Sequence, residues 1–208
     1  MEWSLSVDLR KRVLSLATLL CFTLVGEVAF ARSVSLSELY SQETDQERKV
    51  RQLREHEIEQ LRSVLGLRSY QNRRADLYFR LSEIYLEVYQ QMFLLEGRVH
   101  EKNPKGSMNR TQSKKILLKG IEACQQILRL NRKYPKMDRV YYFMGFNYSE
   151  LGQAQKGSEY FLKLVKQFPS SPFAGEAYRE LGNEALKRDQ YLKAKTYLEA
   201  AVKGDLGS

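Results

Sequence analysis

The 208-residue sequence has little cysteine, histidine, proline or tryptophan. Only one cysteine, Cys124, lies beyond residue 31. That part of the chain therefore cannot close an internal disulfide, and its fold must rest on an apolar core. The two histidines, His56 and His100, are far apart and have no spaced cysteine or acidic partners, which excludes a zinc pattern. No nucleophile–base pair and no glycine-rich phosphate loop is present, so the sequence points to no enzyme, no metal and no cofactor. The prolines stand at 104, 135, 169 and 172, between apolar-periodic segments. No period-two strand pattern of any length occurs. The expectation is an all-α chain.

What is present first is an export pattern. Arg10, Lys11 and Arg12 precede the apolar run Val13–Gly26, and Ala29–Phe30–Ala31 has the form of a small-residue cleavage site. Residues 1–31 are expected to be a cleaved signal peptide and the remainder periplasmic, with an uncleaved anchor as the alternative. The apolar run is shorter than the ~20 residues of a comfortable membrane span. Cys21 follows Leu20, where a lipid-attachment motif wants a small residue.

The formal net charge is +9. Almost all the excess sits in residues 98–139, which carry 12 basic and 3 acidic side chains, while residues 32–97 carry 10 and 11. In an exported protein, a basic segment suits anionic lipid headgroups, acidic glycans or an acidic protein rather than nucleic acid. Its candidate patch is Lys102, Lys105, Arg110, Lys114, Lys115 and Lys119. The alternative is a solvated helix face.

Residues 32–72 comprise a polar lead and a charged amphipathic helix from about Thr44. Its expected apolar face is Val50, Leu53, Ile58, Leu61, Val64 and Leu65. This helix should pack on its own domain, with a short oligomerising coil as the alternative. A long helix from Ala75 to about Gly97 follows, then a loop containing Pro104 and Gly106, then a helix at about 111–133. Four shorter helices are expected at about 138–151, 154–168, 173–187 and 190–203.

Self-similarity links these helices. Tyr141, Met144, Gly145 and Tyr148, then Gly157, Phe161, Leu164 and Pro169, form one copy of a pattern. Tyr178, Leu181 and Gly182, then Ala194, Leu198 and Ala201, form a second. A diverged copy has Tyr78, Leu81, Ser82 and Tyr85, with Gly120, Cys124 and Ile127 in its second helix. Small residues at 82, 145, 157, 182 and 194 should let paired helices approach closely, with Tyr148 and Phe161 filling the space beside them. Cys124 should be a small core residue.

The pattern resembles the tetratricopeptide repeat (TPR) family over about residues 75–203. It implies that residues 73–208 form about three TPR-like helix pairs in a helical-hairpin solenoid, the first with an insertion near 98–113. The layout of export signal, charged helix and repeats resembles secreted bacterial cell-envelope TPR proteins. That likeness implies a scaffold for a protein or peptide partner.

By repeat position, the inner groove should be lined by Asp76, Phe79 and Glu83, by Arg139, Tyr142, Phe146 and Ser149, and by Arg179, Asn183 and Leu186. The partner-binding candidates are Phe79, Arg139, Tyr142, Phe146, Arg179 and Asn183. Arg179 and Asn183 match half of the clamp with which some relatives grip a peptide carboxylate. Tyr142 and Phe146 stand where the other half would be. They suit apolar peptide contact or packing on a neighbouring helix. No polar capping helix follows the last pair, so either further repeats or a partner are expected to cover it, and an oligomer is an alternative.

Overall fold

The computed structural model describes residues 34–104 and 106–205, with backbone only for residues 204 and 205. The expected signal peptide at 1–31 lies outside the described residues, as does Lys105 of the basic patch. The described residues are helical, with no strand. The helices are α1 (Leu36–Tyr40), α2 (Asp45–Leu65), α3 (Arg74–Lys102), α4 (Thr111–Leu130), α5 (Met137–Glu150), α6 (Ala154–Gln167), α7 (Ala174–Lys187) and α8 (Tyr191–Asp205), with a 3₁₀ segment at Arg68–Arg73 between α2 and α3. None of the described helices is long and apolar enough to cross a membrane.

Helices α3 to α8 form three antiparallel hairpins, α3–α4, α5–α6 and α7–α8, each stacked on the next. This is the TPR-type helical-hairpin solenoid, and its basis is visible at the small residues. A Cβ added to Gly145 would stand 2.5 Å from the Phe161 ring, and one added to Gly182 would stand 2.7 Å from Leu198. In the first hairpin Gly120 meets the Asn147 side chain of the next hairpin, and a Cβ there would come within 2.9 Å of Nδ2. Glycine inside a helix costs ~1 kcal/mol relative to alanine. Here it removes the Cβ that would hold the paired helices apart.

Two apolar clusters run through the stack. One joins Phe79, Ile121, Cys124, Ile127, Tyr134, Val140 and Met144, and the other joins Phe161, Leu164, Val165, Ala177 and Leu181. Cys124 is fully buried in the first, as a small core residue. Tyr148 stacks on Tyr160 with ring centroids 5.7 Å apart.

The helix ends have local causes. At the end of α5, Gly152 adopts φ 79°, Gln153 N–H donates to the Tyr148 carbonyl and Gly152 N–H to that of Ser149. Asp189 repeats this at the end of α7 with φ 57°, its N–H donating to Leu186 and that of Gln190 to Ala185. At the start of α2, Thr44 and Glu47 form a reciprocal capping box. α3 runs five residues past the expected end at Gly97. The added turn is held because Val99 packs on Leu39, Met92 and Leu95 while Arg98 grips Glu47. The insertion is therefore shorter than expected, confined to the stretch between the end of α3 at Lys102 and the start of α4 at Thr111. α4 stops at Leu130, where Asn131 accepts a hydrogen bond from Lys133 N–H ahead of Pro135.

α2 departs from expectation in its packing. Val50 and Leu53 do not face the domain: they are 41 % and 70 % exposed, and α2 contains no buried residue. It lies antiparallel along α3 on the edge formed by Arg54, Ile58, Leu61 and Leu65, and Leu53 points about 100° away from that edge. Ion pairs join the two helices at three levels: Arg98–Glu47 at 2.7 Å, Arg54–Glu87 at 3.0 Å and Arg80–Glu57 at 2.6 Å.

Candidate functional site

The first helices of the three hairpins, α3, α5 and α7, carry the positions expected to line the groove. Phe79 does not line it. It is 2 % exposed and packs between Tyr134, at 5.7 Å between centroids, and Phe143, at 6.0 Å. The ring belongs to the core because Tyr134 folds over it from the loop before α5, where its hydroxyl donates to Asp76 at 2.9 Å. Burial and that carboxylate both push the Tyr134 hydroxyl pKa upward.

Arg139 lies on α5 between two neighbours. Its guanidinium is 3.8 Å from Glu83 of α3 and 5.5 Å from the Phe173 ring, just before α7. Tyr142, one turn on, is half-buried against the same Phe173, at 5.0 Å, and against Phe161. Burial raises the Tyr142 hydroxyl pKa, and Glu180 adds to that while Arg179 opposes it. Tyr142 thus links α5 to the charged face of α7. Phe146 is also half-buried, with its ring T-shaped on Tyr89 at 5.9 Å. Both aromatics serve inter-hairpin packing and present only part of their surface.

α7 is the open part of this surface. Arg179, Asn183 and Leu186 recur along one face and are all exposed, Leu186 by 43 %. Arg179 pairs with Glu176 on its own helix. Arg179 and Asn183 lie a turn apart as expected, and no second pair of clamp residues stands opposite them, since Tyr142 and Phe146 occupy α5 there.

The described members of the basic patch are not all free surface cations. The Lys102 ammonium donates to Gln42. Arg110 is folded inward: its guanidinium is 2.7 Å from Glu150, donates to the Tyr89 hydroxyl at 3.0 Å and lies 4.8 Å over Phe93. Arg110 is thus a tie between α3 and α5 rather than a free surface cation. Lys114, Lys115 and Lys119 are exposed on α4.

The Tyr89–Arg110–Glu150 cluster was not singled out from the sequence. The Tyr89 hydroxyl donates to Glu150, and burial, then that carboxylate, raises its pKa. Its members lie 21 and 40 residues apart from Arg110, and no local spacing could have shown the contact. Among the described residues, no group of three or more His, Cys, Asp or Glu side chains could hold a metal ion.

No protein-family model and no curated protein matches this sequence. Among solved structures, the fold is similar to a crystal structure of MamA, with 17 % identity and a TM-score of 0.41 over 79 % of this chain and 97 % of that one. It is also similar to a MamA double mutant of RS-1, with 17 % identity and a TM-score of 0.38 over 79 % of this chain and 97 % of that one. A third is MamA, residue 41 to the end, from Desulfovibrio magneticus RS-1, with 18 % identity and a TM-score of 0.38 over 79 % of this chain and 98 % of that one. These likenesses concern the helical fold and carry nothing about what this chain binds.

Proposed function

We propose that this chain is a non-enzymatic repeat scaffold that holds a protein segment along the surface of α5 and α7, and that it does so in a bacterial cell envelope. The observation that carries the binding surface is the exposed row Arg179, Asn183 and Leu186 on α7, continued on α5 by the partly accessible Tyr142. It offers charge, an amide and apolar area along one line, which suits an extended peptide. The envelope location rests on the export pattern in residues 1–31.

The test is capture of envelope proteins on the immobilised chain, compared with Arg179→Glu combined with Leu186→Ala. Both positions are exposed, so the fold should survive, and dichroism checks this. Loss of a specific captured protein in the double variant supports the surface. Capture that is equal for both proteins sinks it.

Self-association is a second reading, favoured by α8, where Leu192 is 85 % and Val202 60 % exposed. Light scattering decides it: a mass of two or more chains that falls to one in Leu192→Glu with Val202→Glu would replace the scaffold reading at that end.

A further inference from the structure

The side of α3 that faces α1, α2 and α4 is covered at two stretches. Leu39 of α1 packs on Met92 and Leu95, and Ile58, Leu61 and Leu65 of α2 pack on the Leu81 and Tyr85 cluster. Val88 stands between these two seats and is only partly buried. Near it α2 offers Arg51 and Glu55, which bind each other, rather than an apolar side chain. The result is a cavity of about 510 Å³, bounded by Tyr40 of α1, Ile58 of α2, Val88 of α3 and Ile116 of α4. Two apolar side chains stand at its rim, Leu36 at 45 % and Leu118 at 54 % exposure. Its volume is that of a small-molecule site, roughly 300–1,000 Å³. From Tyr85 to Leu95, both in its lining, α3 rises about 15 Å.

The charges around the cavity differ in whether they are already matched. Glu43 and Glu55 both bind Arg51, and Glu43 is fully enclosed. That end presents no unpaired charge to an apolar guest. Elsewhere in the lining stand Arg62, Lys115 and Lys119 against the single carboxylate of Glu59. Among the described residues none of these four has an ion-pair partner, and Arg62 donates only to the Tyr85 hydroxyl. All four are exposed, so an ionised group placed among them stays in contact with water and avoids the cost of burial.

We propose that this cavity binds a single-chain anionic amphiphile, its chain lying along Val88 and Ile116 and its acidic group held at the rim by Lys115, Lys119 and Arg62. The apolar lining selects the chain, and three unpaired cations against one carboxylate select the sign of the head. A free carboxylate and a lipid drawn from a membrane share this chemistry. The site is separate from the α5–α7 surface and does not depend on the scaffold reading.

The test is calorimetric titration of the full chain with dodecanoate and with dodecylammonium, each below its micellar range. Dodecanoate should bind at one site, about tenfold more tightly than dodecylammonium. Lys115→Glu with Lys119→Glu should reverse that preference, since both positions are exposed and the fold should survive. Val88→Phe, which fills the cavity, should weaken both ligands at least about tenfold. Leu118→Glu, at an exposed position, should weaken dodecanoate even if Val88→Phe fails to fold, and dichroism checks both variants. Arg179→Glu with Leu186→Ala should leave binding unchanged. Sedimentation with phosphatidylglycerol vesicles separates the two sources. A chain that binds dodecanoate and stays in the supernatant takes a free carboxylate, whereas sedimentation lost in Leu118→Glu assigns the cavity to a membrane lipid. No binding in either arm, equal affinity for the two ligands, or a preference that survives the lysine reversals overturns the proposal. So does dodecanoate binding untouched by both Val88→Phe and Leu118→Glu, which places the amphiphile elsewhere on the chain.

Discussion

Gly157 of α6 lies against Gly145 of α5, so close that a Cβ on Gly157 would stand 2.9 Å from the Gly145 carbonyl oxygen and would also collide with the Ser149 hydroxyl. The obstructing carbonyl is backbone and cannot rotate away. Gly157→Ala must push two helices apart, which costs typically 1–3 kcal/mol and exceeds the ~1 kcal/mol that alanine adds to helix propensity. A loss of about 1–2 kcal/mol in urea unfolding is expected. Gly97→Ala is the control. Its Cβ would meet nothing closer than the Met108 sulfur at 4.0 Å, so that change should stabilise by up to ~1 kcal/mol. Equal signs for the two variants would refute the close-packing account.

Glu96 caps a helix that does not cap itself. Its buried carboxylate accepts the Gln112 N–H at 2.8 Å and the Ser113 N–H at 3.1 Å, at the start of α4. These are orphan donors at the positive end of the helix dipole. Glu96→Ala should cost about 2 kcal/mol, and Glu96→Gln less, because the amide oxygen still accepts. Hydrogen exchange in the first turn of α4 should accelerate in the alanine variant. Unchanged exchange there would refute the cap.

Glu47 supplies an acid-sensitive contribution. Hydrogen bonding to Arg98, with help from Thr44 of the capping box, lowers its pKa from 4.5 to about 2. A carboxylate with a depressed folded-state pKa stabilises fully above its unfolded value and loses that contribution as pH falls through the folded one. The difference in urea midpoint between the chain and Glu47→Gln should therefore be constant above the ordinary carboxylate pKa and close as the pH falls from 4.5 toward 2. A difference that persists at the acid end would show that the ion pair contributes nothing specific.

Cys124 should be inert in the folded chain. Burial pushes its thiol pKa up to about 12, so little thiolate exists near neutral pH, and the side chain is fully enclosed. In a Cys21→Ser background, an aromatic disulfide reagent at mildly alkaline pH should label Cys124 only as fast as the hairpin opens. Rapid labelling without denaturant would contradict its placement.

The hairpin ladder was legible because its information is local. Tyr141, Gly145, Tyr148, Gly157 and Phe161 repeat a spacing that one helix pair is enough to justify, and the helix limits expected from it fall within a few residues of those observed. The face of α2 was legible in part. Ile58, Leu61 and Leu65 pack on the Leu81 and Tyr85 cluster as the periodicity expects. Val50 and Leu53 fit the same periodicity but stay exposed, and the helix is held there by ion pairs of Glu47, Arg54 and Glu57 with α3, which an apolar pattern cannot register. The capping box was readable, since Thr44 precedes Glu47 by three. Phe79 shows the limit at the site: its repeat position faces a groove, and Tyr134 and Phe143 enclose its ring. The same applies to Arg110, whose charge looked available until Glu150 approached it.

α3 has 29 residues, while α5, α6 and α7 have 14 each. It spans about 43 Å and takes part in both the repeat stack and the floor beneath α2. A rod shared in this way is a lever. A tilt of about 5° at one end displaces the other by roughly 4 Å, less than one turn of helix. Met92 and Leu95, packed under Leu39 of α1, therefore share one rod with Tyr89 and Glu83, the residues through which α3 grips the second hairpin.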